Sequence, residues 1–209
     1  NIDIVVNELD ALANIDLNTR TVKAEKKKLT LVRLGTSGAI QADIPIESYV
    51  MTETSIGFDG LLNFYAGRNE VCDTEMEQAF LEHTQWNPLC AKPYFANSAS
   101  RLVNLFADFT IKGVTISAPG FYGPQGRVLR LPLADGNLND KIEAFQYKGR
   151  RITNFEMESS AINGLSALLG HDAITICAII ANRVNKGATK DYKPAVKNLI
   201  EQTLIRLTK

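Results

Sequence analysis

The chain has 209 residues, enough for one sizeable core and too few for two independent ones, so a single domain over residues 1–209 is expected. Hydrophobic residues at 45% and charged residues at 22% exclude disordered and fibrous classes, and the balance of 23 basic against 23 acidic residues calls for no nucleic-acid partner. No apolar run approaches the ~20 residues that cross a bilayer and no signal-peptide pattern is present, so no membrane partner and a cytoplasmic setting are expected.

Cys72, Cys90 and Cys177 are odd in number and lack metal-ligand spacing, which excludes a disulfide framework and a zinc site; Cys177 falls in an apolar strand pattern.

In chain order, Ile2, Val5, Leu9 and Leu12 recur at helical spacing and predict an opening helix packed through that face. The chain enters this helix directly from Asn1, without an initiator Met, so further sequence upstream is expected. Asn14 to Thr21 reads as a polar connection and Lys26–Lys28 as a solvated turn. Leu29 to Leu34 predicts a buried strand ending in a glycine turn, Gly35-Thr-Ser-Gly38, and Ser48 to Phe58 a second strand. Asn69 to Pro93 is polar and irregular, except for a short helix over Thr74 to His83 with Thr74 as its cap and Glu77 three residues on.

Ser98 to Phe109 predicts a helix and Lys112 to Ser117 a strand that delivers the chain into the loop Gly120–Arg127. Around Asn154 a strand turns into a helix over Met157 to Leu169, which Gly170 ends. Ala173 to Ala181 is the most apolar strand, and Pro194 to Leu207 an amphipathic closing helix. Strands alternating with helices predict an α/β layer architecture, whose ligands gather on the loops beyond the strand ends, where each polar cluster also falls.

Three clusters carry chemistry. Arg33 is a cation inside an apolar strand, followed by glycines and the Thr36 and Ser37 hydroxyls; it suits phosphate, or else a buried Arg bonded to carbonyls or a Glu beside a purely geometric turn. Gln125 and Arg127, two apart in an extended loop, project together as an amide beside a donor fork, matching the edge of a uracil-type ring on which Phe121 stacks; the alternative is a solvated surface loop.

Glu156 and Glu158 flank Met157 and point to different sides on entering the helix. One of them would accept a ribose diol while Met157 packs the sugar's apolar face; equally, both are acids favoured by a helix N-terminus. His83 and His171 lie near no nucleophile motif or metal spacing, and His171, after Gly170, is expected at the surface; neither is assigned to catalysis. The chain has neither a Walker loop nor a dinucleotide glycine fingerprint.

Arg33-Leu-Gly-Thr-Ser-Gly-Ala-Ile40, Phe121-Tyr-Gly-Pro-Gln-Gly-Arg127, Asn154-Phe-Glu-Met-Glu-Ser159 and Ile180-Ala-Asn-Arg183 together resemble, in order and spacing, the nucleoside phosphorylase family, most closely its uridine-cleaving members. The resemblance implies an α/β fold of three layers, a mixed central sheet flanked by helices. It implies a pentosyltransferase that cleaves uridine reversibly to uracil and ribose 1-phosphate in pyrimidine salvage. The alternatives are a nucleoside-binding or inactive homologue, and a purine phosphorylase or nucleosidase of the same superfamily.

By the same resemblance Arg33 and Thr36 bind phosphate, and Thr36, Met157 and Glu158 hold the ribose. Gln125 and Arg127 read the base, Phe121, Ile180 and Ala181 wall it, and Arg183 supports from behind. The catalytic set is Arg33, Arg127 and Glu158. No metal and no cofactor is implied beyond phosphate as co-substrate, although a monovalent cation at a subunit interface belongs to the family's repertoire. A homo-oligomer, a dimer or a hexamer of dimers, is implied as well.

Asn182 stands where purine-cleaving relatives carry a protonating Asp, which favours a pyrimidine. Two departures stand out. Gly126 replaces an acidic residue often found there, and the family's N-terminal strands, with a Gly-Asp-Pro-x-Arg phosphate loop and residues lent to a neighbouring subunit, align before Asn1.

Overall fold

Two long parallel strands form the spine of the computed structural model, which describes residues 2–208. The helices are α1 (Ile2–Asn14), α2 (Arg68–Val71), α3 (Thr74–Thr84), α4 (Ser100–Phe106), α5 (Leu138–Ala144), α6 (Ser159–Leu169) and α7 (Lys193–Leu207). The strands are β1 (Ile15–Asp16), β2 (Thr21–Val22), β3 (Thr30–Ala39), β4 (Tyr49–Gly57), β5 (Tyr94–Asn97), β6 (Ile111–Ser117), β7 (Gln146–Tyr147), β8 (Arg150–Glu156), β9 (Asp172–Asn182) and β10 (Gly187–Ala188). β3 and β9 run parallel in register from Thr30 opposite Asp172 to Ala39 opposite Asn182.

The main sheet has the order β10-β9-β3-β8-β6-β4-β5 and is mixed, with helices flanking it. β4 also pairs antiparallel with β9 through Tyr49–Met51, so β9, β3, β8, β6 and β4 close into a ring that sequence periodicity does not reveal. Closure explains why β9 is apolar on both faces and almost wholly buried.

α4 and α7 cover one side through Leu102, Phe106 and Leu199, all fully buried and each contributing roughly 1.5–3 kcal/mol of transfer free energy. α3 and α5 cover β6 and β8 through Phe80, Met76 and Ile142. α1 and α6 pack together over Tyr94 and Leu62.

Several expectations are corrected. Gly35 to Gly38 is not a turn but part of β3, each residue paired with β9 and a bulge lying between Ser37 and Gly38. The ladder to β9 keeps the chain extended there, and Gly35 meets a side-chain demand: a Cβ on it would lie 2.8 Å from the Arg33 guanidinium. Asn14 to Thr21 carries the first strand of a small β1–β2 ribbon.

The cap of α3 is Asp73, not Thr74, its carboxylate accepting from the Met76 N–H at 2.9 Å. Glu77 does not reach back to complete a capping box; it is buried and paired with Arg68 and with Lys92 at 2.7 Å. The polar stretch from Asn69 to Pro93 is more ordered than expected, α2 occupying its start.

α1 forms as predicted but turns a different face inward. Val6 is its buried apolar residue, while Val5, Leu9 and Leu12 are exposed. β3 meets β8 only through Gly38 and Ala39, so along Thr30–Ser37 no strand of the described residues lies beside it on that side.

His171 is buried rather than exposed. Its Nδ1 accepts from the Leu29 N–H at 3.2 Å and its Nε2 donates to Asp10 at 3.0 Å, pinning α1 to the strand layer. Because both nitrogens of this buried ring are spent on partners in the chain, His171→Ala is expected to destabilise the fold by about 1–3 kcal/mol, read as a lowered urea midpoint. An unchanged midpoint would mean that the latch contributes nothing.

Candidate active site

The site begins where β8 ends. Glu156, the last residue of β8, is buried, and its carboxylate accepts from the Ser159 N–H at 2.9 Å, the Glu158 N–H at 3.0 Å, the Ser159 hydroxyl at 2.7 Å and the Ser117 hydroxyl at 2.5 Å. It thereby supplies an anion to the open amides at the start of α6, the position the helix dipole favours. Ser117, at the end of β6, also accepts from the Ser160 N–H at 2.8 Å, so one network ties two strand ends to one helix.

Arg33 reaches this network from β3. Its Nη1 lies 3.1 Å from Glu156 and 3.5 Å from the Cys177 sulfur, and its Nη2 pairs with Glu158. The two carboxylates therefore converge on one guanidinium instead of pointing to different sides, because α6 starts only at Ser159 and leaves Met157 and Glu158 in the bend before it. Of the alternatives for Arg33, the structure shows the cation bonded to Glu, with its side chain still 21% exposed.

Burial works against the Arg33 cation, but Cys177 and the two carboxylates outweigh it and raise its pKa above the ordinary value. Burial first, and Glu156 next, push the Cys177 thiol up to about 12.

The second half of the site hangs on Gln125. Gly123–Gln125 forms one 3₁₀ turn rather than an extended loop, and Gly126 follows at φ 71°, with Asn139 only 2.1 Å from where a Cβ would stand. That geometry requires glycine and explains why no acidic side chain stands at position 126.

The turn buries Gln125, whose carboxamide oxygen accepts from Arg127 Nη1 at 2.6 Å and Arg183 Nη2 at 2.6 Å. Arg183 also donates to the Gln125 carbonyl, so it holds the turn from behind Gln125. The Arg127 guanidinium lies 3.8 Å over the half-exposed Phe121 ring, and that of Arg183 lies 4.6 Å from the centre of the Phe155 ring. Burial first, and Arg127 second, depress the Arg183 pKa to about 10; burial also lowers that of Arg127. Two cations thus share one neutral amide, and Arg183 Nε is buried without a partner.

Phe155 under Arg183 and Glu156 on Arg33 are consecutive in β8, which joins the two clusters. Ile180 and Ala181 are partly exposed on β9 beside Arg183, with Ala181 opposite Gly38. Thr36, opposite Ala178, and the 40%-exposed Met157 join by position rather than by a hydrogen bond.

Asn182 is buried and fully spent. It donates to Gln41 O and Ile44 O at 2.9 Å each and accepts from the Val184 and Asn185 N–H groups, so it offers a ligand neither an acid nor a free amide. Ser117 and the Cys177 contact were not legible in the sequence; finding them requires the β6–β8 and β3–β9 registers.

Residues 11–208 match the family model for the Phosphorylase superfamily. The chain is 30% identical over 161 residues to uridine phosphorylase of Thermococcus kodakarensis, covering 74% of this chain and 49% of that protein. It is 29% identical over 166 residues to uridine phosphorylase of Escherichia coli, covering 75% and 55%. The chain therefore spans about half the length of the curated relatives it matches.

Among solved structures, a Trypanosoma brucei nucleoside phosphorylase described as showing uridine phosphorylase activity superposes with a TM-score of 0.85 at 25% identity, over 99% of this chain and 76% of that one. Isoform 2 of Schistosoma mansoni uridine phosphorylase, in complex with citrate, superposes at 0.62 with 20% identity, over 99% and 66%, a likeness of fold.

Glu156→Gln is expected to lower stability by about 1–3 kcal/mol, because an amide places donors against the α6 amides and Arg33. Glu158→Gln, in a half-open position, is expected to cost under about 1 kcal/mol. Thermal unfolding of both variants checks the contrast; equal losses would remove Glu156 from the centre of the network.

Proposed function

This chain belongs to the phosphorylase superfamily, and we propose on that footing that it carries out uridine phosphorolysis, a reversible pentosyl transfer to phosphate within pyrimidine salvage. The observation that carries the reading is the convergence of Arg127 and Arg183 on Gln125 with no carboxylate among them. A uracil leaving as an anion needs fixed positive charge at its carbonyl edge, and this end of the site holds it before any ligand arrives.

In the proposed reaction a phosphate oxygen forms a bond to C1′ as the bond from C1′ to the base nitrogen breaks. The electron pair departs with the pyrimidine, which later takes a proton from water. Arg127 and Gln125 hold the base edge, Phe121, Ile180 and Ala181 wall its faces, and Arg183 fixes the turn. Arg33 and Thr36 orient phosphate, and Met157 and Glu158 hold the ribose. Catalysis is positioning and electrostatics, with no cofactor beyond the phosphate co-substrate. The closed pair between Arg33 and Glu158 opens on binding: phosphate takes the guanidinium and the ribose diol takes the carboxylate.

A pyrimidine is favoured over a purine because Asn182 is spent within the chain and no acid stands at that strand end. A homo-oligomer in the cytoplasm, a dimer or a hexamer of dimers, completes the proposal. A nucleoside-binding protein without the reaction is the second reading; what favours it is that Arg33 and Glu158 satisfy each other.

Phosphate-dependent release of uracil from uridine, with inosine as control, tests the function; no release from uridine would leave the binding reading. Arg127→Ala is expected to lower kcat/KM for uridine by about 10²–10³-fold, as loss of a charge-stabilising donor does elsewhere, and the exposed Arg130→Ala to leave it unchanged. Gly35→Ala, whose methyl displaces the Arg33 guanidinium, is expected to raise the KM for phosphate more than that for uridine. Equal effects on both would remove Arg33 from the phosphate end.

A further inference from the structure

A cavity of about 500 Å³ lies behind the base loop, within the ~300–1,000 Å³ range of small-molecule sites. Its walls are Phe58, Trp86, Pro124, Pro132, Leu133 and Leu138. Gln125, Arg127 and Arg183 are not in its lining, whereas Gly123 and Pro124 of the turn that carries Gln125 are.

The polar groups at its rim have partners within the chain. Asp59 accepts from the Leu61 N–H at 2.9 Å, and Asp135 accepts from the Asn137 N–H at 2.9 Å and pairs with Lys141 at 2.9 Å. The Trp86 indole N–H donates to Ala91 O at 3.1 Å, and the Asn87 side chain accepts from the Leu89 N–H at 3.0 Å. What faces a ligand is mostly carbon: proline rings, leucine methyls and an indole tilted 57° against Phe58 at 4.7 Å between ring centres.

We propose that this cavity binds an uncharged aromatic molecule of one or two rings, stacked among Trp86 and the prolines. A charged or strongly hydrogen-bonding ligand would lose its hydration here against a mostly apolar lining, whereas a flat apolar ring loses only unfavourable contact with water. The bound ring presses on Gly123 and Pro124 and so stiffens the turn that positions Gln125. The binding itself does not depend on the proposed reaction.

Trp86 is the chain's one tryptophan, so its emission reports this cavity alone. Titration with bromobenzene, whose heavy atom quenches indole on contact, is expected to quench Trp86 saturably. Ala134→Phe, a substitution at an exposed wall position, is expected to fill the space and weaken the apparent affinity by at least about tenfold. Saturation is also expected to slow the reaction of a disulfide reagent with Cys90, the exposed cysteine in the wall, and to slow hydrogen exchange at the Gln125, Gly126 and Arg127 amides.

Linear, non-saturating quenching, or quenching unaffected by Ala134→Phe, overturns the proposal. Saturable quenching without protection of the three turn amides overturns the coupling to Gln125. Quenching that emerges only on dilution would assign the cavity to a second copy of this chain and overturn the small-molecule reading.

Discussion

A carboxylate buried at a strand end sets the terms for everything around it. Glu156 is buried, and an uncompensated charge there would cost several kcal/mol, so the chain must bring donors to it. It brings the first amides of α6, the hydroxyls of Ser117 and Ser159, and the guanidinium of Arg33. Satisfying one anion thus fixes the start of a helix, the junction of β6 with β8, and the direction in which a cation leaves β3. Glu158 inherits its place from this arrangement, held in the bend between the capped helix and the strand.

The two ends of the crevice solve their electrostatics in opposite ways. At the Arg33 end two carboxylates surround one guanidinium, and the cation is reinforced. At the Gln125 end two guanidiniums surround one neutral amide, and the charge on Arg183 is strained by burial and by its like-charged neighbour. The first end is a closed ion-pair cluster, and the second is a standing excess of positive charge. β8 holds both through consecutive residues, Phe155 and Glu156, so their separation is set by a rigid strand rather than by loops.

Local pattern carried much of this fold. Periodicity located α1, α4, α6 and α7 and the strands β3, β4, β6 and β9 to within a few residues, and the clusters at Arg33, Gln125 and Glu158 were visible as polar residues out of place at strand ends. What pattern could not carry was pairing. The glycines of Gly35–Gly38 read as a turn because nothing local says that β9 lies alongside, and His171 read as exposed because Asp10 and Leu29 are remote in sequence. The inward face of α1 is hidden from local pattern for the same reason: several of its faces are apolar, and only the partner α6 selects Val6. Asn182 was identified at the right strand end, but its partners in the segment after β3 were invisible until the strands were set side by side.

The bare side of β3 has a consequence for assembly. Along Thr30–Ser37 a strand in the interior of the sheet order offers a run of backbone donors and acceptors, flanked by Val5 and Leu9 of α1, and Arg33 lies in the middle of it. A peptide edge of that kind is a template, so any extended segment that zips onto it, from the same polypeptide or another, is steered past the Arg33 guanidinium. The surroundings of Arg33 and the adhesiveness of the molecule are therefore one property: whatever seals the edge against aggregation also decides which backbone amides stand beside that guanidinium.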